Sequence, residues 1–110
     1  YVFDCRGISN PGRLLDFKLL NGRNTEVINF LKENSRVDDY MSHTYPLVDS
    51  TIETYLKRGF KNLMINFGCT GGQHRSVYCA DEMFKYLKNK YDINVFLSHI
   101  EQGIKEEVIK

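Results

Sequence analysis

Residues 63–78, LMINFGCTGGQHRSVY, constrain the fold of this chain more than any other stretch. A short apolar run (Leu63, Met64, Ile65, Phe67) breaks into Gly68, Cys69, Thr70, Gly71 and Gly72, and an amphipathic pattern starts directly afterwards. That order reads as strand, glycine-rich turn, helix. Such a junction points backbone N–H groups outward at the positive end of a helix dipole, an arrangement that favours a bound anion. Gly71 and Gly72 permit positive φ and close approach of a ligand. Thr70 and Ser76 add hydroxyls, His74 and Arg75 add basic groups, and an arginine at this place can grip phosphate through two parallel hydrogen bonds. The stretch predicts an anion site, with phosphate as the natural occupant.

The rest of the chain supplies a frame for that junction. Residues 1–5 read as a short buried strand, with Asp4 and Arg6 at its carboxyl end, the position where open α/β sheets bind ligands. An ion pair between them is the alternative reading. Asn10, Pro11 and Gly12 mark a turn, and Asn21-Gly22 another. The spacing predicts a helix over 25–34, capped by Asn24 or Thr25, with Val27, Phe30 and Leu31 on one side. A longer helix is predicted over 38–58, where Met41, Tyr45, Val48, Ile52, Tyr55 and Leu56 share one arc. Pro46 should kink or divide it, and Gly59 should end it. His43 falls on its polar side.

A second strand is expected over 62–67 and the best-defined helix over 73–90, with Val77, Cys79, Ala80, Met83, Phe84, Tyr86 and Leu87 on its apolar half. Cys79 there reads as a small buried hydrophobe. A third strand is expected over 93–97, and the charged tail 105–110 reads as helical or frayed. Helices between strands impose crossover connections, so the fold class is α/β, a small, largely parallel sheet with helices on both faces. In a parallel sheet Asp4, Arg6 and the 68–76 turn stand on the same rim, which joins them into one pocket.

Composition limits the alternatives. The 110 residues fit one domain, long enough to bury a core without metal or disulfide staples. Hydrophobic residues at 42% and charged residues at 26% exclude a disordered chain. A net charge of +1 is no footprint of a dedicated nucleic-acid binder. Cys5, Cys69 and Cys79 form no disulfide framework and no CxxC metal ribbon, which favours a reducing, cytoplasmic setting. No run is long and apolar enough for a transmembrane helix, and neither a metal nor a cofactor is expected. The chain opens inside an apolar stretch without Met, as a domain cut from a longer protein would.

Three chemistries fit the central turn. One is a phosphate cradle that does nothing further to its guest. Another is a cysteine phosphatase, because Cys69 and Arg75 satisfy C-x5-R and a depressed-pKa thiolate in such a loop attacks phosphorus. Composition alone produces such a pair about one time in six. Gly68 precedes the cysteine where phosphatases of this type carry His, and no loop Asp is placed as a general acid. The third is a Walker loop, which residues 68–76 fail because the final Gly-Lys is missing.

The block GCTGGQHRSVY, with Phe3-Asp4-x-Arg6 followed by Asn10-Pro11 and with Gly22 in a turn, resembles the C-terminal domain family of the bacterial RNase adapter RapZ, over most of the chain. The resemblance implies an α/β domain that binds a phosphorylated amino sugar, glucosamine-6-phosphate, in metabolic sensing. It implies a ligand pocket of Asp4, Thr70, Gly71, Gly72, His74 and Arg75, supported by Arg6, Asn10, Cys69 and Ser76. It also implies a nucleotide-binding or kinase-like domain preceding this one and RNA as a further partner. A homo-oligomer is compatible with the sequence, which does not set the oligomeric state. Two departures stand out. Where the family reads NPH this chain has Gly12, which removes a basic group. The tail carries Glu101, Glu106 and Glu107 where the family's short basic tail contacts RNA, and RNA binding rests largely on phosphate neutralisation.

Overall fold

In the computed structural model, which describes residues 1–10 and 15–110, the apolar stripes of three helices converge on one core. Strand β1 (Val2–Asp4) leads through a loop and a short 3-10 turn (Leu15–Phe17) to α1 (Thr25–Asn34) and α2 (Val37–Arg58). Strand β2 (Asn66–Gly68) feeds α3 (Arg75–Lys90), and β3 (Val95–His99) and β4 (Ile104–Val108) complete the described chain. Among the described residues no helix is long and apolar enough to cross a membrane.

The 3.6-residue period explains the helices. In α1, Val27 and Leu31 are buried one turn apart, and Phe30 packs edge-on against Phe17. In α2 the buried side chains Val37, Met41, Thr44, Val48 and Ile52 follow one stripe, but Leu56, expected on that arc, is exposed. The helix outruns the core by its last turn. A single helix passes through Pro46, which forgoes one i→i−4 hydrogen bond. It ends at Gly59 in the left-handed conformation, φ 73°, where a side chain would be strained. Asn24 stands at the N-cap of α1 but makes no capping bond; its Oδ1 accepts the backbone N–H of Asn21 instead, at 2.8 Å.

The strands differ from expectation. β1 and β2 pair in parallel, Val2 with Asn66, Phe3 with Phe67 and Asp4 with Gly68. β3 and β4 form a separate antiparallel pair, in place of further parallel strands. The tail read as helical or frayed is therefore β4. Gly103, φ 65°, turns the chain back after His99, and Ile104 then pairs with His99. The expected strand over 62–67 shortens because β1 offers only three partners.

Cys79 and Cys5 are both fully buried. The Cys79 thiol is pushed up by its hydrogen bond with Cys5 and by burial, so Cys79 behaves as a small hydrophobe. Between the helices, the Tyr78 hydroxyl donates to Asp38 at 2.9 Å, while Tyr86, Tyr91 and Lys90 all donate to Asp49. Burial raises the Asp49 carboxyl, but those three donors outweigh it and hold it low. Each contact fixes the orientation of α3, whose N-terminus carries the central turn.

Candidate phosphate-binding turn

Parallel pairing of β1 and β2 brings both carboxyl ends to one rim. Asp4 stands beside Gly68, and the Cys5 N–H donates to the Gly68 carbonyl at 2.7 Å. From Gly68 the chain turns through Gly71 and Gly72, whose φ angles of 81° and 60° only glycine adopts without strain. No side chain caps α3 at His74, and its first turn holds no acidic residue. The first N–H groups of a helix have no intrahelical partner, so this end presents a partial positive charge.

Arg75 occupies a different place from an open fork. It is 4% exposed, and its Nη1 donates to the carbonyls of Arg6 at 3.1 Å and Ile8 at 3.0 Å. The side chain therefore ties the loop after β1 to the start of α3. Its Nε is buried without an acceptor, an unusual state for a guanidinium N–H. Tyr40 reinforces the same rim from α2, its hydroxyl donating to the Asp4 carbonyl at 2.9 Å.

Asp4 and Arg6 form an exposed pair. The Arg6 backbone N–H and Nε reach Asp4 Oδ1 at 2.9 and 3.0 Å, and Nη2 reaches Oδ2 at 2.7 Å. These side-chain hydrogen bonds, then the backbone bond, hold the Asp4 carboxyl at about 2. Because the folded value lies below the unfolded one, the pair's contribution to stability is complete above the ordinary carboxylate value and is lost as pH falls towards 2. A carboxyl-detected NMR titration should place the Asp4 midpoint near 2, and Arg6→Ala should return it towards an ordinary aspartate value of about 3.9. An unshifted midpoint in the unaltered chain would contradict the pairing.

His74 is buried, and its Nε2 lies 2.8 Å from the Phe17 carbonyl. A carbonyl only accepts, so Nε2 carries the proton and anchors the 15–17 turn. The Cys69 thiol, half-buried, donates to the buried Ser76 hydroxyl at 3.2 Å. Thr70 and Gly71 are exposed at the tip of the turn. Asn10 is half-buried at the edge of the loop after β1, and the expected turn at Pro11 and Gly12 lies outside the described residues. His43 is exposed, its Nδ1 2.8 Å from the Asp39 carbonyl one turn back. The structure thus brings Asp4, Arg6 and the turn 68–72 to one rim, with Arg75 and Ser76 buried beneath it and His74 turned to Phe17.

Sequence reasoning missed the braces around the turn. Gln73 donates through Nε2 to the carbonyls of Lys18 and Leu20, both at 2.6 Å. The Gly22 N–H donates back to the Gln73 carbonyl at 3.0 Å. From the hairpin, Gln102 Nε2 donates to the Gly72 carbonyl at 3.1 Å. On α3, Asp81 accepts from His99 Nε2 at 2.8 Å and from Arg23 at 3.1 Å, and Arg23 also pairs with Glu106 at 2.8 Å. Local spacing carries no signal for such bonds, because each joins segments far apart in the chain.

A parallel β-pair opening into a glycine turn at an uncapped helix start defines a small α/β domain. The family described as RapZ C-terminal domain matches residues 1–103. This chain belongs to that family. It is also 36% identical over 109 residues to proteins named nucleotide-binding protein in Staphylococcus aureus strains JH9, Newman and JH1. Each alignment covers 96% of this chain and 36% of the relative, so the chain spans about a third of their length.

Proposed function

We propose that this chain is a non-catalytic binding domain for a phosphorylated small molecule, an amino-sugar phosphate such as glucosamine-6-phosphate, within a larger cytoplasmic regulator. The observation that carries the reading is the turn itself. Gly71 and Gly72 at positive φ lead to a helix start with neither a side-chain cap nor an acidic first turn, beside a buried guanidinium whose Nε has no acceptor. Backbone N–H groups and the helix dipole would hold the phosphate, and Arg75 would add its charge from beneath. Asp4, on the neighbouring strand end, would accept hydrogen bonds from sugar hydroxyls. Thr70 at the tip adds a hydroxyl donor.

Membership of the RapZ C-terminal domain family supports the reading. So does the name nucleotide-binding protein carried by the longer relatives, since nucleotides share the phosphate group. In the proposed role the domain senses and the preceding part of the longer chain responds. Arg75 anchors two backbone carbonyls through Nη1, so it serves a fixed cradle better than a thiol-phosphate intermediate at Cys69. Calorimetric titration with glucosamine-6-phosphate and inorganic phosphate tests the proposal.

A further inference from the structure

Resting on that phosphate reading, we infer that Glu101, at the tip of the β3–β4 hairpin, selects ligands that carry a positive charge as well as a phosphate. The hairpin is held over the central turn by named contacts. His99 and Arg23 bind Asp81 of α3, Arg23 binds Glu106 of β4, and Gln102 Nε2 binds the Gly72 carbonyl at 3.1 Å. These place the Glu101 side chain against the turn: its Cγ lies 3.1 Å from where a Cβ on Gly72 would stand. Gly72, at φ 60°, thus does two things, turning the chain and leaving room for this glutamate.

Among the described residues the Glu101 carboxylate has no ion-pair or hydrogen-bond partner, and its neighbour Gln102 has a buried Oε1 with no donor. At the base of the same turn, Arg75 Nε is a buried donor with no acceptor. One edge of the turn therefore carries a carboxylate that no protein group pairs, and the first residue of the helix carries a buried N–H without an acceptor. A carboxylate held beside a phosphate site repels a simple anion. A ligand with phosphate at one end and an ammonium group a few bonds away satisfies both, placing phosphate on the helix start and ammonium against Glu101. A neutral sugar phosphate leaves the carboxylate unpaired and meets its repulsion.

The test compares three probes on the intact chain and on Glu101→Gln: glucosamine-6-phosphate, glucose-6-phosphate and inorganic phosphate, each by calorimetry at neutral pH. The unaltered chain should prefer glucosamine-6-phosphate to glucose-6-phosphate, and Glu101→Gln should shrink that preference by about tenfold, the worth of one charge-assisted hydrogen bond. Glu101 is exposed, so the variant should melt with the parent chain, and a matching melting curve establishes that it has folded. An unchanged preference, or equal tightening for all three probes, overturns the role of Glu101 and leaves the phosphate reading standing. Absence of binding by all three probes to the unaltered chain overturns both.

Discussion

Gly22→Ala should lower the melting temperature of this domain by on the order of 15 °C, equivalent to about 3 kcal/mol of overpacking. A Cβ at position 22 would lie 2.3 Å from the His74 carbonyl oxygen, 2.6 Å from the Tyr78 nitrogen and 2.9 Å from Val77 Cβ. Two of those atoms are backbone of the first turn of α3 and its cap, which cannot rotate aside as a flexible side chain would. Relief requires separating the 20–22 segment from α3, which breaks the Gly22 to Gln73 bond and loosens the bonds from Gln73 to Lys18 and Leu20. Phosphate affinity should fall with stability because the same segment props the turn. Gly7 provides the control: nothing lies within 4 Å of a Cβ placed there, so Gly7→Ala should melt close to the parent. Equal melting curves for Gly22→Ala and the parent would contradict the packing described.

The second large effect is at Arg75. Arg75→Ala leaves the carbonyls of Arg6 and Ile8 without their shared donor. Charged hydrogen bonds of this kind contribute about 1.5–3 kcal/mol each, and with one donor serving both a total loss of roughly 2–4 kcal/mol is expected. Under the proposed function the same change abolishes phosphate binding. Arg75→Lys separates the two roles. An ammonium keeps the charge and a donor for the loop carbonyls but has no planar fork and no Nε. The lysine variant should therefore keep most of the stability and lose about tenfold or more in phosphate affinity. Chemical denaturation read alongside calorimetry on both variants checks this. A lysine variant that binds as tightly as the parent would show that neither the guanidinium fork nor Nε holds the phosphate.

These effects also show which parts of the molecule were legible in the sequence. The helices were, because a 3.6-residue apolar period spans many turns and tolerates exceptions: α1 occupies the predicted 25–34, and α2 ends at the predicted Gly59. The glycine turn was legible because Gly71 and Gly72 have a conformational role few other residues can fill. β4 was not. Its alternation is diluted by adjacent Glu106 and Glu107, and its pairing depends on Gly103 reversing the chain onto β3. The division into two separate β-pairs is likewise a tertiary outcome, set by where the hairpin packs on α3 rather than by strand propensity.

The candidate site divides in the same way. Sequence alone placed a cation beside a glycine-rich turn and an acid–base pair on a neighbouring strand end. It did not reveal that Arg75 points beneath the rim to hold backbone carbonyls, or that His74 spends its Nε2 on Phe17. Side-chain direction at a helix start depends on what lies opposite, and the loop after β1 lies dozens of residues upstream. Gln102 and Glu101 escaped for the same reason, since nothing local to the hairpin announces that its tip covers Gly72.

Under the proposed function, residues 68–76 form a cradle for a phosphorylated ligand. The most direct measurement is isothermal titration of the folded chain with glucosamine-6-phosphate, with inorganic phosphate in parallel. Saturable heat is expected from the sugar phosphate, weaker heat from inorganic phosphate, and none from either with Arg75→Ala at a temperature where that variant is folded. A folded, unaltered chain that gives no heat with either probe at millimolar concentration would contradict the proposed function.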